Sequence, residues 1–391
     1  MKNRTLKHNF CRLMTLLLLA AMLVGCENKK TPESSEVNTT TPGSVDDSET
    51  LANEGKGDED SYTSGQVNVR YPQTVNWDSE KSIVQTAIDN QTMIIQFMSG
   101  EGCYISGNGA NTTKWGDSVL LVFPNGETML IDAGMQDYGW FLVENLKKLG
   151  VEKLDYCMMS HEHSDHYGGF LAADGVFENF EIGTYFWSGI YSASYGSGRI
   201  KYRMEQAAEL KGMKLVTLAR GDEYWFGDVK MTILSPEPGQ EGSSSASNTD
   251  SADNAVSIVA RFDYGESAYL TAGDLYVDEE KNLMERIDAS LLSVDIAKMD
   301  HHGRTTSNCD PWCAALGAKV AVATGSIEVA DSTYNSYAKV GTVPYVDTYD
   351  GFVRVEAKRD GNFTVVTSRE REHKTFDLLD ERYKIERKSQ Y

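Results

Sequence analysis

Three of the chain's seven histidines fall between His161 and His166, in the stretch SHEHSDHYGG, which also carries Asp165. Two more stand side by side in DHHG at His301 and His302, leaving only His8 and His373 outside the two clusters. Neutral imidazoles and carboxylates are the ligands of divalent zinc, manganese or iron. In a loop leaving a strand, His161 and His163 can face one ion while Asp165 and His166 turn toward a second, and Asp274 can bridge them. Two ions about 3.5–4 Å apart can hold a hydroxide nucleophile and stabilise a departing oxygen.

Four clusters share one place in their local pattern. Asp132 ends TMLID, the histidine cluster follows LDYCMMS, Asp274 ends SAYLTAGD, and His301 and His302 follow SVDIAKMD. Side chains just past the carboxyl ends of buried strands can converge on one sheet edge, where a rigid scaffold holds ligands with coordination positions left open. Asp132 or Asp274 alone would most often cap a turn. Four ordered clusters are not explained that way.

The elements that must position these residues start near residue 92. TMIIQFMS (92–99) and SVLLVFPNGETMLIDAG (118–134) read as strands, the latter folded at Pro-Asn-Gly. WFLVENLKKLG (140–150) has helical spacing with Gly150 as its stop, and residues 203–211 and 278–290 read as further helices. KLVTLARGDEYWFGDVKMTILSP (214–236) reads as two strands around a Gly-Asp turn, followed by a low-complexity loop over 237–254. Strands resume at 255–265, 267–274, 293–303 and 319–325, and FVRVEAKRDGNFTVVTS (352–368) reads as a hairpin. The pattern predicts a two-layer sheet sandwich covered by helices, in the α/β class.

His161-x-His163-x-Asp165-His166 resembles the signature of the metallo-β-lactamase-fold hydrolases, whose αββα four-layer sandwich the resemblance implies. A narrower likeness, to the ComEC-like hydrolase domain and bacterial phosphorylcholine esterases, rests on four stretches. They are GDSVLLVFPNGETMLIDAG, RGDEYWFGDVKMTILSP, DNAVSIVARFDYGESAYLTAGD and DHHGRTTS, and the likeness spans roughly residues 93–368. It implies that His161 and His163 bind one metal, and that Asp165, His166, Asp274 and one of the paired histidines, taken as His302, bind the other. His301 is then left as a phosphate contact or general acid. Asp132 would orient a ligand histidine from behind. One or two zinc ions are implied, with manganese or iron as substitutes. One departure stands out: no histidine lies between His166 and His301, and Asp253 and Asn254 occupy the region where the superfamily often completes its first metal.

The implied activity is metal-dependent hydrolysis of a phosphoester, most readily a phosphodiester, in a small molecule or a polymer. Rival readings are a β-lactam or other ester hydrolase of the same fold, and a non-catalytic surface lipoprotein with a degenerate fold. The net charge of −21 argues against a broad nucleic-acid footprint without excluding a local groove.

Residues 1–25 read as an export leader. Lys2, Arg4, Lys7 and Arg12 precede the apolar TLLLLAAMLV, and Leu-Val-Gly-Cys resembles a bacterial lipobox, implying lipid on Cys26 and anchorage to the extracytoplasmic face of the cell membrane. Residues 26–66 are a polar tether, 67–91 a lead-in, 92–370 the hydrolase domain and 371–391 a tail. Pairing among Cys103, Cys157, Cys309 and Cys313 is open on sequence grounds, although Cys157 reads as plain core. The aromatic run 184–202 reads mainly as packing, with Trp187, Tyr191 and Tyr195 the candidates for stacking on a base or caging a choline-like cation.

Overall fold

The computed structural model describes residues 82–100, 115–192, 199–245, 249–325 and 329–368, together with the backbone of Lys374–Phe376. The leader, Cys26, the tether, most of the lead-in and tail, Cys103 and Tyr195 lie outside the described residues. Among the described residues no helix is long and apolar enough to cross a membrane.

The chain enters through a helix, Ile83–Asn90, capped by the Ser82 hydroxyl, which accepts from the Gln85 amide at 3.1 Å. Six strands follow: β1 (Thr92–Phe97), β2 (Val119–Val122), β3 (Thr128–Ile131), β4 (Leu154–Met158), β5 (Ile182–Trp187) and β6 (Lys214–Thr217). Then come β7 (Glu223–Phe226), β8 (Val229–Ser235), β9 (Val259–Tyr264), β10 (Ser267–Thr271), β11 (Ile296–Lys298), β12 (Val320–Ala323) and β13 (Val343–Val346). The hairpin β14 (Val353–Lys358) and β15 (Phe363–Thr367) closes the series with β16 (Lys374–Phe376). Among the described residues these form a nine-stranded sheet, β16-β15-β14-β1-β2-β3-β4-β5-β6, and a seven-stranded sheet, β13-β12-β11-β10-β9-β8-β7. In the first, β3 to β6 run parallel; in the second, β10 to β13 do.

Alternation along each strand explains the layers. Met93, Ile95 and Phe97 of β1 enter the core between the sheets, with Ile233, Phe262, Tyr269 and Ile296 from the other sheet. Ile94 points the other way, to a cluster holding Leu142 and Leu146 of the helix Gly139–Lys148. On the far face of the second sheet, Ala297 and Ala321 pack with Leu283, Trp312 and Tyr337 from three further helices. Strands buried on both faces become continuous apolar runs, which is why TMIIQF is buried at every position. The result is the expected helix–sheet–sheet–helix order of an α/β sandwich.

One expectation needs correction. Residues 214–236 form three strands, not two, because the chain changes sheets at Leu218: β6 ends the first sheet, and β7 with β8 opens the second. A period-two pattern looks the same whichever sheet receives it. The helix expected at 203–211 starts earlier, at Arg199, and that at 278–290 divides into Val277–Arg286 and Ala289–Leu292. The helices Asp310–Leu316 and Asp331–Lys339 and strand β13 were not anticipated.

Candidate metal centre

The parallel strands β3 and β4 of one sheet and β10 and β11 of the other end at the same rim, and the chemically equipped loops follow them. After β4, Ser160 leads into His161, Glu162 and His163. His163 has an extended backbone and caps the one-turn helix Ser164–Tyr167, which turns Asp165 and His166 back toward the rim. Two neighbouring loops hold this one in place: the Asp117 amide donates to Asp165 O at 3.0 Å, and the Ala133 amide to His166 O at 2.8 Å. Gly116 permits the first contact. Its φ is +84°, and a Cβ there would lie 2.0 Å from Asp165 O.

Asp132 stands behind His166. Its Oδ2 lies 2.8 Å from His166 Nδ1 and accepts from Ser160 Oγ at 2.7 Å, while its Oδ1 accepts from the Ser160 amide at 2.7 Å. Asp132 takes a left-handed φ of +58° to do this, a conformation that costs a side-chain-bearing residue about 1–3 kcal/mol. With Nδ1 committed, the His166 Nε2 faces the rim, 3.2 Å from Asp274 Oδ2.

His301 and His302 also have positive φ, +47° and +57°, which sends consecutive rings in different directions. His302 Nε2 reaches Asp165 Oδ2 at 3.2 Å and Asp274 Oδ2 at 3.3 Å. His301 Nε2 lies 3.7 Å from the same Asp274 oxygen, its Nδ1 is 2.5 Å from Thr306 Oγ1, and its ring stacks on Tyr276 at 5.0 Å. Two sets of donor atoms therefore come within 4.8 Å of one another: His161, His163 and Asp274, and Asp117, His166, Asp274 and His302, while Asp165 belongs to neither and touches the second through His302. Asp274 belongs to both.

Asp253 stands beside the first set, with Oδ2 3.5 Å from His163 Nε2. Its two oxygens each accept a hydroxyl, Ser192 Oγ and Ser245 Oγ, at 2.5 Å. Asn254 is buried nearby in sequence, with its Oδ1 lacking a hydrogen-bond partner. Trp187 is packed in the helix-side core, so it presents no face for stacking, whereas Tyr191 is half-buried and bridges to Ser244. Cys157, Cys309 and Cys313 are free thiols.

The residues fit divalent ions on two observations. First, His161 Nε2, His166 Nε2 and Asp274 Oδ1 are buried without a hydrogen-bond partner, although buried polar atoms are normally paired. Second, Asp117, Asp165, Asp253 and Asp274 are all buried beside the same imidazoles, while the buried Lys298 pairs with Asp117, and buried carboxylates in such number call for cations. Titration behaviour agrees with that field. Burial, helped by His166 and His163, drives His161 well below the usual imidazole range and keeps it neutral. Burial works against charge on His166 too, but Asp274 and Asp132 outweigh it and push the ring up to about 10. Burial likewise opposes ionisation of Asp274, but His166 and His302 hold its carboxyl well below the ordinary range.

Residues 113–179, which hold Asp117, Asp132 and the whole histidine cluster, match the family model of the metallo-beta-lactamase superfamily. The chain carries a metallo-beta-lactamase fold domain. It is 27% identical over 235 residues to competence protein ComA of Neisseria gonorrhoeae, covering 60% of this chain and 27% of that protein. It is 23% identical over 181 residues to ComE operon protein 3 of Bacillus subtilis (strain 168), covering 46% of this chain and 21% of the relative. The chain thus spans about a quarter of the length of these two relatives. Among solved structures it is similar to the metallo-beta-lactamase fold protein YhfI from Bacillus subtilis, at 14% identity and a TM-score of 0.38, covering 65% of this chain and 95% of that one. The fold is of the hydrolase type, with a His/Asp site suited to metal.

Sequence reasoning missed Asp117, Lys298, Ser160, Ser192 and Ser245. A lysine ending the apolar run SVDIAK was the one signal available, since a buried lysine demands a partner.

Proposed function

We propose that this protein hydrolyses a phosphoester, most readily a phosphodiester, at the extracytoplasmic face of a membrane to which lipid on Cys26 tethers it. The observation that carries the reading is the shared Asp274: two ligand sets meet at one carboxylate, and a fifth imidazole, His301, belongs to neither set yet stands 3.7 Å from that carboxylate. Divalent ions held there, zinc, manganese or iron, would supply Lewis acidity toward phosphoryl oxygens and acidify a water. His161 and His163 with Asp274 would hold one ion, with Asp253 3.5 Å from His163. Asp165, His166, His302 and Asp274 would hold the other. Asp132 fixes which nitrogen His166 presents. His301, held at Nδ1 by Thr306 and steadied by Tyr276, can give the proton that a departing alkoxide needs. The net charge of −21 favours a small or sparsely charged substrate over long nucleic acid.

The test uses the full chain in detergent with bis(p-nitrophenyl) phosphate and added manganese or zinc, beside nitrocefin as the β-lactam comparison. Metal-dependent nitrophenol release, abolished in Asp165→Ala, is the expected result. Nitrocefin turnover without phosphodiester turnover, or a wild-type rate in Asp165→Ala, would overturn the reading.

A further inference from the structure

Behind the metal-facing side of the centre lies a second, entirely buried array that links the two sheets. Lys298 ends β11, and alternation places it on the face of Ile296, in the core between the sheets. It is 2% exposed, and its Nζ donates to Gly273 O at 3.0 Å and Met299 O at 3.2 Å while pairing with Asp117 Oδ2. Asp117, 1% exposed, comes from the loop before β2 in the opposite sheet. Its Oδ1 accepts from Thr324 Oγ1 at 2.6 Å and lies 2.9 Å from His302 Nδ1. Asp117 also stands 4.0 Å from His166 Nδ1, on the side of both rings away from the atoms that face Asp274.

We propose that Asp117 and Lys298 are positioning residues for the second metal ion, resting on the two-ion reading above. Asp117 fixes His302 so that Nε2 faces Asp165 and Asp274. Lys298 holds the Gly273 carbonyl, and with it the start of the Asp274 loop, to that same carboxylate. One ion pair thus sets the spacing between a histidine ligand of one ion and the carboxylate shared by both. Although Asp117 falls among the clustered donor atoms, its oxygens approach His302 at Nδ1, so it acts through the ring and not on the ion. Removing partners that orient metal ligands weakens affinity by about 10–100-fold.

The test is titration of the metal-free full chain with cobalt(II) alone, following visible d–d bands and bound metal, for wild type, Asp117→Asn, and Asp117→Asn with Lys298→Met. The double variant removes both members of the ion pair together, so the cost of leaving either one buried without the other is separated from a loss of positioning. Expected are two ions in wild type, and in both variants an unchanged first ion with the second about 10–100-fold weaker and its bands altered. Two ions of unchanged affinity and spectrum in the double variant would overturn this proposal and leave the two-ion reading intact. Fewer than two ions in wild type would overturn both. If neither variant folds, Thr324→Val decides: a weaker second ion supports the proposal, and an unchanged titration removes it.

Discussion

His163 Nε2 and Asp253 Oδ2 lie 3.5 Å apart, so a carboxylate stands beside the first ligand set in the region where the superfamily often supplies a third imidazole. The hydroxyls of Ser192 and Ser245 fix both oxygens of that carboxylate, so its orientation is built in. Such a hard oxygen donor would suit a site that two imidazoles and Asp274 leave open.

Asp253→Ala is therefore expected to weaken the first ion by about 10–100-fold while leaving the second in place. Asp253→Asn, which keeps an acceptor but loses the charge, should fall between. Competition with a chromogenic chelator measures both affinities. Wild-type titration curves in the alanine variant would show that Asp253 does not contribute.

The general-acid role proposed for His301 is separable from metal binding. His301→Ala should leave metal content unchanged but lower kcat about 10²–10⁴-fold for a diester with an alkyl alcohol as leaving group. With p-nitrophenolate leaving, which needs no proton, the loss should shrink to a few-fold. Equal losses on both substrates would assign His301 to binding or structure.

Asp347 makes a pH-dependent contribution although it belongs to neither donor set. Its carboxylate is fully buried, with Oδ2 accepting from Trp115 Nε1 at 3.0 Å and from the Gly325 amide at 2.8 Å, while Oδ1 has no partner. Burial raises its titration well above the ordinary carboxylate range. The unfolded chain loses this proton near pH ~4 and the folded chain keeps it to higher pH, so the associated stability is full below that point and falls as pH rises. Asp347→Asn removes the titration. In urea melts with chelator present, the variant should gain on wild type by up to about 1.4 kcal/mol per pH unit above pH ~4. A constant difference across that range would refute the assignment.

Much of the site was legible in the sequence because its chemistry is concentrated in short stretches. His161, His163, Asp165 and His166 sit within one turn, and Asp132, Asp274 and the paired histidines each follow an apolar run that can only be a buried strand. The three-strand path of residues 214–236 was not legible, because alternation marks a strand without naming its sheet.

Local periodicity places residues that follow buried strands, so the donor types and their order were readable along the chain. That Asp253 stands beside His163, that Asp117 lies against His302 and that Lys298 pairs with Asp117 emerged with the packed sheets. Those partners are far apart along the chain and meet through sheet-on-sheet packing. No local pattern encodes that packing, yet it sets how each ligand is aimed.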